Sequence, residues 1–205
     1  MKIDDKIYPK LLIYDIVSST ESENIRNYLM HSNVKWVFYQ NTVSSNFFPR
    51  YEYLDNLIDS WQLVNNVVGE NQIHDHATFE IIRPIIDNFI KREKLKDFYI
   101  HKIKINTLFQ KKDIEPFHFN TPHQDSEEEG FSTLIYYVNT SDGNTIFFRD
   151  ENNDINSKLT LTIEDGISPK EGSAILFKSN QYHASSNPIK TQRRLVINIV
   201  FKTYE

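Results

Sequence analysis

The 205-residue sequence contains no cysteine, and this absence removes several classes of site at once. Without thiols the chain has no disulfide framework, no cysteine nucleophile and no thiolate-bound metal. Histidine and carboxylate side chains are then the plausible protein ligands for a transition metal. The seven histidines of the chain are therefore the candidate nitrogen ligands.

Basic residues are not in excess, and long apolar runs are absent. Lysine and arginine total 23 against 28 acidic residues, a net charge of -5, which gives no sign of a nucleic-acid-binding surface. The amino terminus mixes acidic residues with its first lysines, which is typical of neither a signal peptide nor a membrane span. We expect a cytoplasmic protein with no nucleic-acid or membrane partner. Its length predicts one domain over 1–205.

The amino-terminal part of the chain shows two helical patterns among shorter apolar runs. Apolar spacing predicts a helix over 21–31, and a second from His76 to about Lys94 that Asp75 can cap. Pro84 is expected to kink the second helix or divide it into two. Short strands are predicted at 10–17 and 34–39 and a loop at 40–50, whereas 51–68 carries mixed signals.

From Phe98 onward the pattern changes to strands separated by turn-rich stretches. The predicted strands are 98–109, 131–138, 144–149, 159–163, 173–178 and 194–201. Several short strands of this kind suggest a sandwich or barrel, of which a jelly roll is one solution. We therefore predict an α+β fold, with helical and strand support over 1–97 and a β-roll core over 98–205.

One constellation of residues has the composition of a non-haem iron site. His123 and Asp125 are two residues apart, so on a strand both side chains point to the same face. His183 follows 58 residues after Asp125. Two histidines and one carboxylate form the facial triad of non-haem Fe(II) oxygenases.

A second cluster, His74-Asp75-His76, is better interpreted as a capped helix start, and His118 is a candidate for the entrance of the site.

The order of motifs around this triad resembles a known family. The segments that carry the likeness are His123–Asp125, Thr133–Asn139, Pro169–Gly172, Ala174–Phe177, His183-Ala184 and Arg193–Asn198. They resemble the catalytic core of the Fe(II)- and 2-oxoglutarate-dependent dioxygenases, in particular the prolyl 4-hydroxylase-like branch. The resemblance covers about half of the chain. It implies a double-stranded β-helix (jelly-roll) core, with Fe(II), 2-oxoglutarate and O2 as cofactor and co-substrates.

The co-substrate of this family needs a fixed cation for its far carboxylate, and two arginines are candidates. Strand parity puts Arg194 on the face that holds Asn198, whereas Arg193 shares the wholly apolar face. The mixed face is the one expected of a cofactor pocket, so Arg194 is preferred and Arg193 is the alternative. By resemblance, Tyr137 hydrogen-bonds the same carboxylate. The predicted cofactor-binding residues are therefore Arg194, Tyr137 and Asn198.

The substrate is less well defined by the sequence than the metal site. Loops at 40–50 and 111–130 are expected to flank the entrance, and Phe117 and Phe119 are aromatic residues that could mark binding there. The resemblance implies hydroxylation of a C–H bond in a peptidyl prolyl or amino-acid-like substrate, with release of succinate and CO2. The alternative is a non-catalytic jelly-roll binding module, either carbohydrate-binding or structural.

Overall fold

The computed structural model describes residues 11–31, 34–43, 55–150 and 160–204. Two helices and eleven strands lie within these ranges. The helices are α1 (Ser19–His31) and α2 (His76–Glu93). The strands are β1 (Leu11–Ile13), β2 (Val37–Tyr39), β3 (Gln62–Gly69), β4 (Gln72–Ile73), β5 (Asp97–Phe109), β6 (Phe131–Tyr137), β7 (Thr145–Asp150), β8 (Leu161–Ile167), β9 (Ala174–Lys178), β10 (His183–Ser185) and β11 (Arg193–Tyr204).

The strands form two sheets, and every pairing in both is antiparallel. The larger sheet has the order β1-β9-β6-β11-β5-β3-β2, with β4 added on β3, and the smaller has the order β10-β7-β8. The order is far from sequential, so strands distant in sequence lie side by side. In particular, β11 lies between β6 and β5, which places its side chains at the centre of the larger sheet.

Both helices begin where side chains cap them. Glu21 accepts hydrogen bonds from the backbone N–H and the hydroxyl of Ser18, and the Ser18 hydroxyl accepts from the Glu21 backbone N–H, which is a capping box at the start of α1. Asp75 caps α2 by accepting from the Thr78 backbone N–H at 3.2 Å. The predicted division at Pro84 is wrong, because α2 is one helix of 18 residues. The carbonyl that Pro84 leaves unpaired belongs to Glu80, an exposed residue that water can serve.

The two faces of the larger sheet have different partners. On one face, alternate residues of β5 and β11 pack with the helices in the main core, as Ile103, Ile197 and Phe89 illustrate. On the other face, the larger sheet meets the smaller one through a separate apolar cluster that includes Phe147 and Phe177, whose ring centroids are 5.1 Å apart. The alternation of β11 therefore sends Leu195, Ile197 and Ile199 to the helices. Arg194, Val196 and Asn198 go to the space between the sheets.

Several element predictions are confirmed and others need correction. The strands predicted after Phe98 are all present, as are both helices. The predicted strands at 10–17 and 34–39 are shorter, since β1 covers 11–13 and β2 covers 37–39. Strand β3, most of which falls in the stretch with mixed signals, joins β5 in the larger sheet. The amino-terminal strands thus extend the main sheet, and helices are a limited part of this half.

Part of the loop predicted at 40–50, residues 44–50, lies outside the described residues. Among the described helices, none is long and apolar enough to cross a membrane.

Candidate metal and co-substrate site

His123 and His183 are brought side by side by their own backbones. They form an isolated antiparallel bridge in which each residue donates its N–H to the carbonyl of the other, at 2.9 and 3.0 Å. Their ring centroids are 4.5 Å apart. The Asp125 N–H donates to the Ser179 carbonyl at 2.9 Å, so the segment that carries His123 and Asp125 is also bonded to the chain just before His183. His123 and His183, which are 60 positions apart, are therefore fixed by main-chain hydrogen bonds, independently of any metal.

The three side chains converge through the atoms that a metal would need. One ligand atom from each of His123, Asp125 and His183 lies within 4.8 Å of the others, and His183 Nε2 is 3.6 Å from Asp125 Oδ2. The Nδ1 atoms of the two histidines lie 3.2 and 3.0 Å from the carbonyls of Thr121 and Gln181. A carbonyl only accepts, so each Nδ1 carries the proton of the neutral tautomer, and Nε2 is the atom that each ring can offer to a metal. Of the His, Asp and Glu side chains in the described ranges, only these three form such a cluster.

The protonation states suit metal binding at neutral pH. Burial and the neighbouring His183 lower the pKa of His123 to about 4, so its imidazole is neutral. Burial would raise the pKa of Asp125, but the charges around it, with hydrogen bonding from Asn198, lower this pKa to about 2. A neutral imidazole and an ionised carboxylate are the forms that coordinate a cation. The donor set and its protonation therefore fit Fe(II), with positions left open for other ligands.

Asp125 is held by three further side chains from the larger sheet. Asn198 on β11 donates its amide to both carboxylate oxygens at 3.1 Å, and the Thr133 hydroxyl on β6 donates to Oδ2 at 2.9 Å. Lys102 on β5 donates to the Asp125 backbone carbonyl at 2.6 Å, and its Nζ lies 3.8 Å from Oδ1. Sequence reasoning missed Thr133 and Lys102. Strand parity could have indicated both. Val200 of β11 is on the same face as Asn198, and it pairs with Lys102 of β5 on one side and Thr133 of β6 on the other.

Arg194 is a buried cation held in place by neutral groups. Its side chain points between the sheets as parity predicted, and the residue is 3% exposed. Its Nε donates to the Gly143 carbonyl at 2.9 Å and an NH2 group donates to the Thr145 hydroxyl at 2.7 Å. Burial lowers the pKa of Arg194 to about 10, which still leaves it charged at neutral pH. Among the described residues, no carboxylate pairs with it.

Tyr137 and Thr145 complete the polar cluster around Arg194. The Tyr137 hydroxyl is fully buried and donates to Thr145 Oγ1 at 2.9 Å, so Thr145 receives hydrogen bonds from both Tyr137 and Arg194. Burial raises the pKa of Tyr137, which keeps its hydroxyl protonated as a donor. Sequence reasoning assigned no role to Thr145. The structure therefore gathers three donor side chains, Arg194, Tyr137 and Thr145, at one position between the sheets.

Gly143 is glycine because the Arg194 pocket leaves no room for a side chain there. A Cβ at this position would lie 2.6 Å from the Ser186 carbonyl and 3.1 Å from Cδ of Arg194. The close approach lets the Gly143 carbonyl reach Arg194 Nε. The turn before β7 therefore fixes the guanidinium directly through its backbone.

The structure also shows where the other candidate residues from the sequence lie. Asp75 in His74-Asp75-His76 is a helix cap that also accepts from Asn65 at 2.8 Å, as preferred. The suggestion that His118 lines the entrance is wrong. His118 is 2% exposed and bonds the Glu115 carbonyl and the Asn187 N–H, because it ties two loops together. Phe119 is buried at 2%, so only Phe117, at 80%, is an exposed aromatic in that loop.

A cavity of about 560 Å³ lies beside the candidate metal ligands. His123, Asp125 and Asn198 line it on the metal side. Three side chains of β5, Lys102, Lys104 and Asn106, line it on the sheet side, and residues 39–43 with Glu127 also contribute. Most of the lining residues carry a polar group, but the surface that they present to the cavity is polar and apolar in about equal parts. Such a wall suits an occupant that has both polar and apolar parts.

Comparison with known proteins agrees with this geometry. Residues 110–202 match the family model described as the 2OG-Fe(II) oxygenase superfamily. The matched range contains the three candidate metal ligands, Tyr137 and Arg194. No curated protein sequence matches the chain significantly.

Solved structures with a similar fold share little sequence with this chain. A 2OG-Fe(II) oxygenase family oxidoreductase from Burkholderia pseudomallei has a TM-score of 0.62 at 10% identity, covering 97% of this chain and 87% of that one. HygX from Streptomyces hygroscopicus, solved with nickel and 2-oxoglutarate, has a TM-score of 0.56 at 10% identity, with coverages of 98% and 85%. A prolyl hydroxylase from Trichoplax adhaerens, solved with a peptide fragment, has a TM-score of 0.55 at 14% identity, with coverages of 95% and 83%.

Two antiparallel sheets that enclose a His-Asp-His cluster define the class of non-haem iron oxygenases. Within that class, this chain matches the 2OG-Fe(II) oxygenase superfamily over residues 110–202, the part that holds the site. It is a 2-oxoglutarate-dependent dioxygenase that uses Fe(II), 2-oxoglutarate and O2.

Proposed function

We propose that the protein hydroxylates a C–H bond of a peptidyl prolyl or amino-acid-like substrate, with release of succinate and CO2. The observation that carries the proposal is the pairing of two features in the space between the sheets. One is the cluster of His123, Asp125 and His183, and the other is the buried Arg194, which pairs with no carboxylate among the described residues. A non-catalytic binding module has no need for both. The enclosing sheets are proposed to be a double-stranded β-helix (jelly roll).

In this proposal His123, Asp125 and His183 hold Fe(II) through the two Nε2 atoms and a carboxylate oxygen. Bound Fe(II) would supply the O2 chemistry that converts 2-oxoglutarate to succinate and CO2 and oxidises the substrate C–H bond. The surrounding residues orient the ligands. Thr121 and Gln181 fix the imidazoles through their carbonyls, and Asn198 fixes the carboxylate. Such outer partners usually contribute 10- to 100-fold to metal affinity.

Arg194, Tyr137 and Thr145 would bind the far carboxylate of 2-oxoglutarate. Arginine suits this task because its planar fork can donate two hydrogen bonds to one carboxylate. Thr145 already accepts from Tyr137 and Arg194, so its own hydroxyl proton can be donated to the incoming anion. A buried cation without an acid partner is costly. Binding the dianion removes that cost, which makes Arg194 a strong anchor.

The experiment that tests this function measures succinate. The Fe(II)-loaded protein is incubated aerobically with 2-oxoglutarate and ascorbate, alone and with proline-containing peptides, free amino acids, sugars and nucleosides. We expect slow uncoupled succinate release that a peptide or amino acid stimulates, with a product 16 Da heavier. Stimulation only by a sugar or nucleoside would contradict the substrate part. No succinate under any condition would contradict the reaction itself.

A further inference from the structure

The face of the larger sheet that carries the site is divided between two kinds of side chain. Towards β6 and β9 it is mostly apolar, as Ile135, Ile175 and Phe177 show, with Thr133 and Tyr137 as polar members. Towards β5 and β3 it carries lysines and amides. Register places Lys104 directly opposite Asn198 on β11, and Asn106 opposite Val196. Tyr137 of β6 and the lysines of β5 thus lie on opposite sides of β11, which carries both Arg194 and Asn198.

Lys104 differs from its neighbour Lys102 in having no charged partner among the described residues. Lys102 is drawn to Asp125, with its Nζ 2.6 Å from the backbone carbonyl. Lys104 is exposed, lines the same cavity, and makes no ion pair within the described part of the chain. Residues i and i+2 of a strand lie on one face about 7 Å apart. The Lys104 ammonium group is therefore free to meet a ligand beside the metal position.

The charge balance of the cavity favours an anion there, an argument that rests on the proposed function. Fe(II) with Asp125 and Lys102 leaves a formal excess of two positive charges. Arg194 and the 2-oxoglutarate dianion together carry one negative charge, which lowers the excess to one. The positive charge of Lys104 raises it to two again. Among the described residues of the lining, Glu127 is the acidic residue other than Asp125, and it removes only one of the two positive charges. A site that stays positive after its co-substrate has bound attracts negatively charged molecules.

We propose that the prime substrate is a small carboxylate-bearing molecule of amino-acid size, and that Lys104 binds its carboxylate beside the metal. The cavity of about 560 Å³ is large enough for such a molecule. Polar side chains in its lining, such as Lys104 and Asn106, can meet the polar groups of such a molecule. A peptidyl residue within a chain has no free carboxylate at this position. The free molecule is therefore favoured over the peptide.

Calorimetry on the Mn(II)- and 2-oxoglutarate-loaded protein tests this without turnover. The probes are the common L-amino acids, including proline, each compared with its carboxamide. We expect at least one acid to bind about tenfold to a hundredfold more tightly than its amide, since a charge-assisted hydrogen bond is lost in the amide. Lys104→Met should abolish this preference and Lys104→Arg should keep it. Lys91→Met, which changes an exposed lysine of α2, should leave it unaltered.

Three outcomes would overturn the proposal. In the first, acids and their amides bind equally. In the second, Lys104→Met and Lys91→Met change the preference for the acid by the same amount. In the third, only proline peptides with blocked termini bind. Binding of 2-oxoglutarate is measured first in every variant. If 2-oxoglutarate binds and no acid does, the substrate class is wrong and the oxygenase assignment stands. If 2-oxoglutarate itself does not bind the metal-loaded protein, the proposed function fails.

Discussion

The side-chain amide of Asn198 donates to both carboxylate oxygens of Asp125, at 3.1 Å each. Because a carboxylate only accepts, this contact fixes which end of the amide faces the metal position. It also links β11, which carries Arg194, to the segment that carries His123 and Asp125. One strand thereby orients both the proposed metal ligand and the proposed co-substrate anchor.

Replacing Asn198 should weaken metal binding without unfolding the protein. Asn198→Ala removes two hydrogen bonds to Asp125 but leaves all three proposed ligands in place. We expect metal affinity to fall about 10- to 100-fold, as for other outer partners of metal ligands. Competition titration with a chelator measures this. Asn66→Ala is the control. Asn66 is on β3, where it pairs with Lys104 of β5, and its amide contacts the Tyr39 hydroxyl, not Asp125. Equal affinities for the two variants would contradict the role of Asn198.

Arg194→Ala should raise the 2-oxoglutarate requirement steeply. Removing one side of a charged, hydrogen-bonded pair costs about 2–5 kcal/mol, or a few tens to thousands of fold in affinity. Arg193→Ala is the matched control, because Arg193 lies on the opposite face of β11. The dissociation constant of 2-oxoglutarate for the metal-loaded protein is the quantity to measure. A larger effect of Arg193→Ala would refute the parity argument.

Gly143→Ala should disturb the Arg194 pocket through steric overlap. The new Cβ would lie 2.6 Å from the Ser186 carbonyl, so the turn or Arg194 must move. We expect a loss of about 1–3 kcal/mol in the free energy of unfolding, together with weaker 2-oxoglutarate binding. Gly166→Ala is the control, since a Cβ there meets nothing within 4 Å. Chemical denaturation of both variants compares them, and similar stabilities would contradict the steric account.

Asp142→Asn should make the turn before β11 less stable in a pH-dependent way. Asp142 accepts from the backbone N–H groups of Ile189, Lys190 and Thr191 at 2.8–3.0 Å. Burial would raise its pKa, but these hydrogen bonds hold the pKa well below its usual range. The stabilisation is therefore present above the unfolded-state pKa, about 3.9, and is lost as pH falls below it.

At pH 7 we expect Asp142→Asn to lower the free energy of unfolding by about 2 kcal/mol, the order of a hydrogen bond to a charged group. The difference from the unchanged protein should shrink as pH falls below about 4. Denaturant titrations at several pH values measure both effects. A difference that stays constant between pH 7 and pH 3 would show that the charge of Asp142 is not the cause.

The site was more predictable from the sequence than the fold around it. The spacing of His123 and Asp125 and the parity of Arg194 depend on local strand geometry, which a sequence displays directly. The approach of His183 to His123 depends on a backbone bridge between distant segments, and the family resemblance, not spacing, indicated it. Thr145 joins the pocket through a turn that only the folded chain brings beside Arg194.

The errors have the same origin. His118 and Phe119 stand in a polar loop, and sequence analysis placed them at the entrance. Both are buried because the loop packs against distant segments, as the hydrogen bond from the Asn187 N–H to His118 Nε2 shows. Strand β3 was obscure because two asparagines interrupt its apolar run. One of them, Asn65, is buried against Asp75. Such tertiary contacts have no local signal in the sequence.

The most direct test of the account is anaerobic addition of 2-oxoglutarate to the Fe(II)-loaded protein, followed by visible absorption spectroscopy. Chelation of Fe(II) by 2-oxoglutarate gives a weak charge-transfer band. We predict this band for the unchanged protein, its absence in Asp125→Ala, and its appearance only at much higher 2-oxoglutarate concentration in Arg194→Ala. A protein that binds one Fe(II) and gives no band at saturating 2-oxoglutarate would contradict the account.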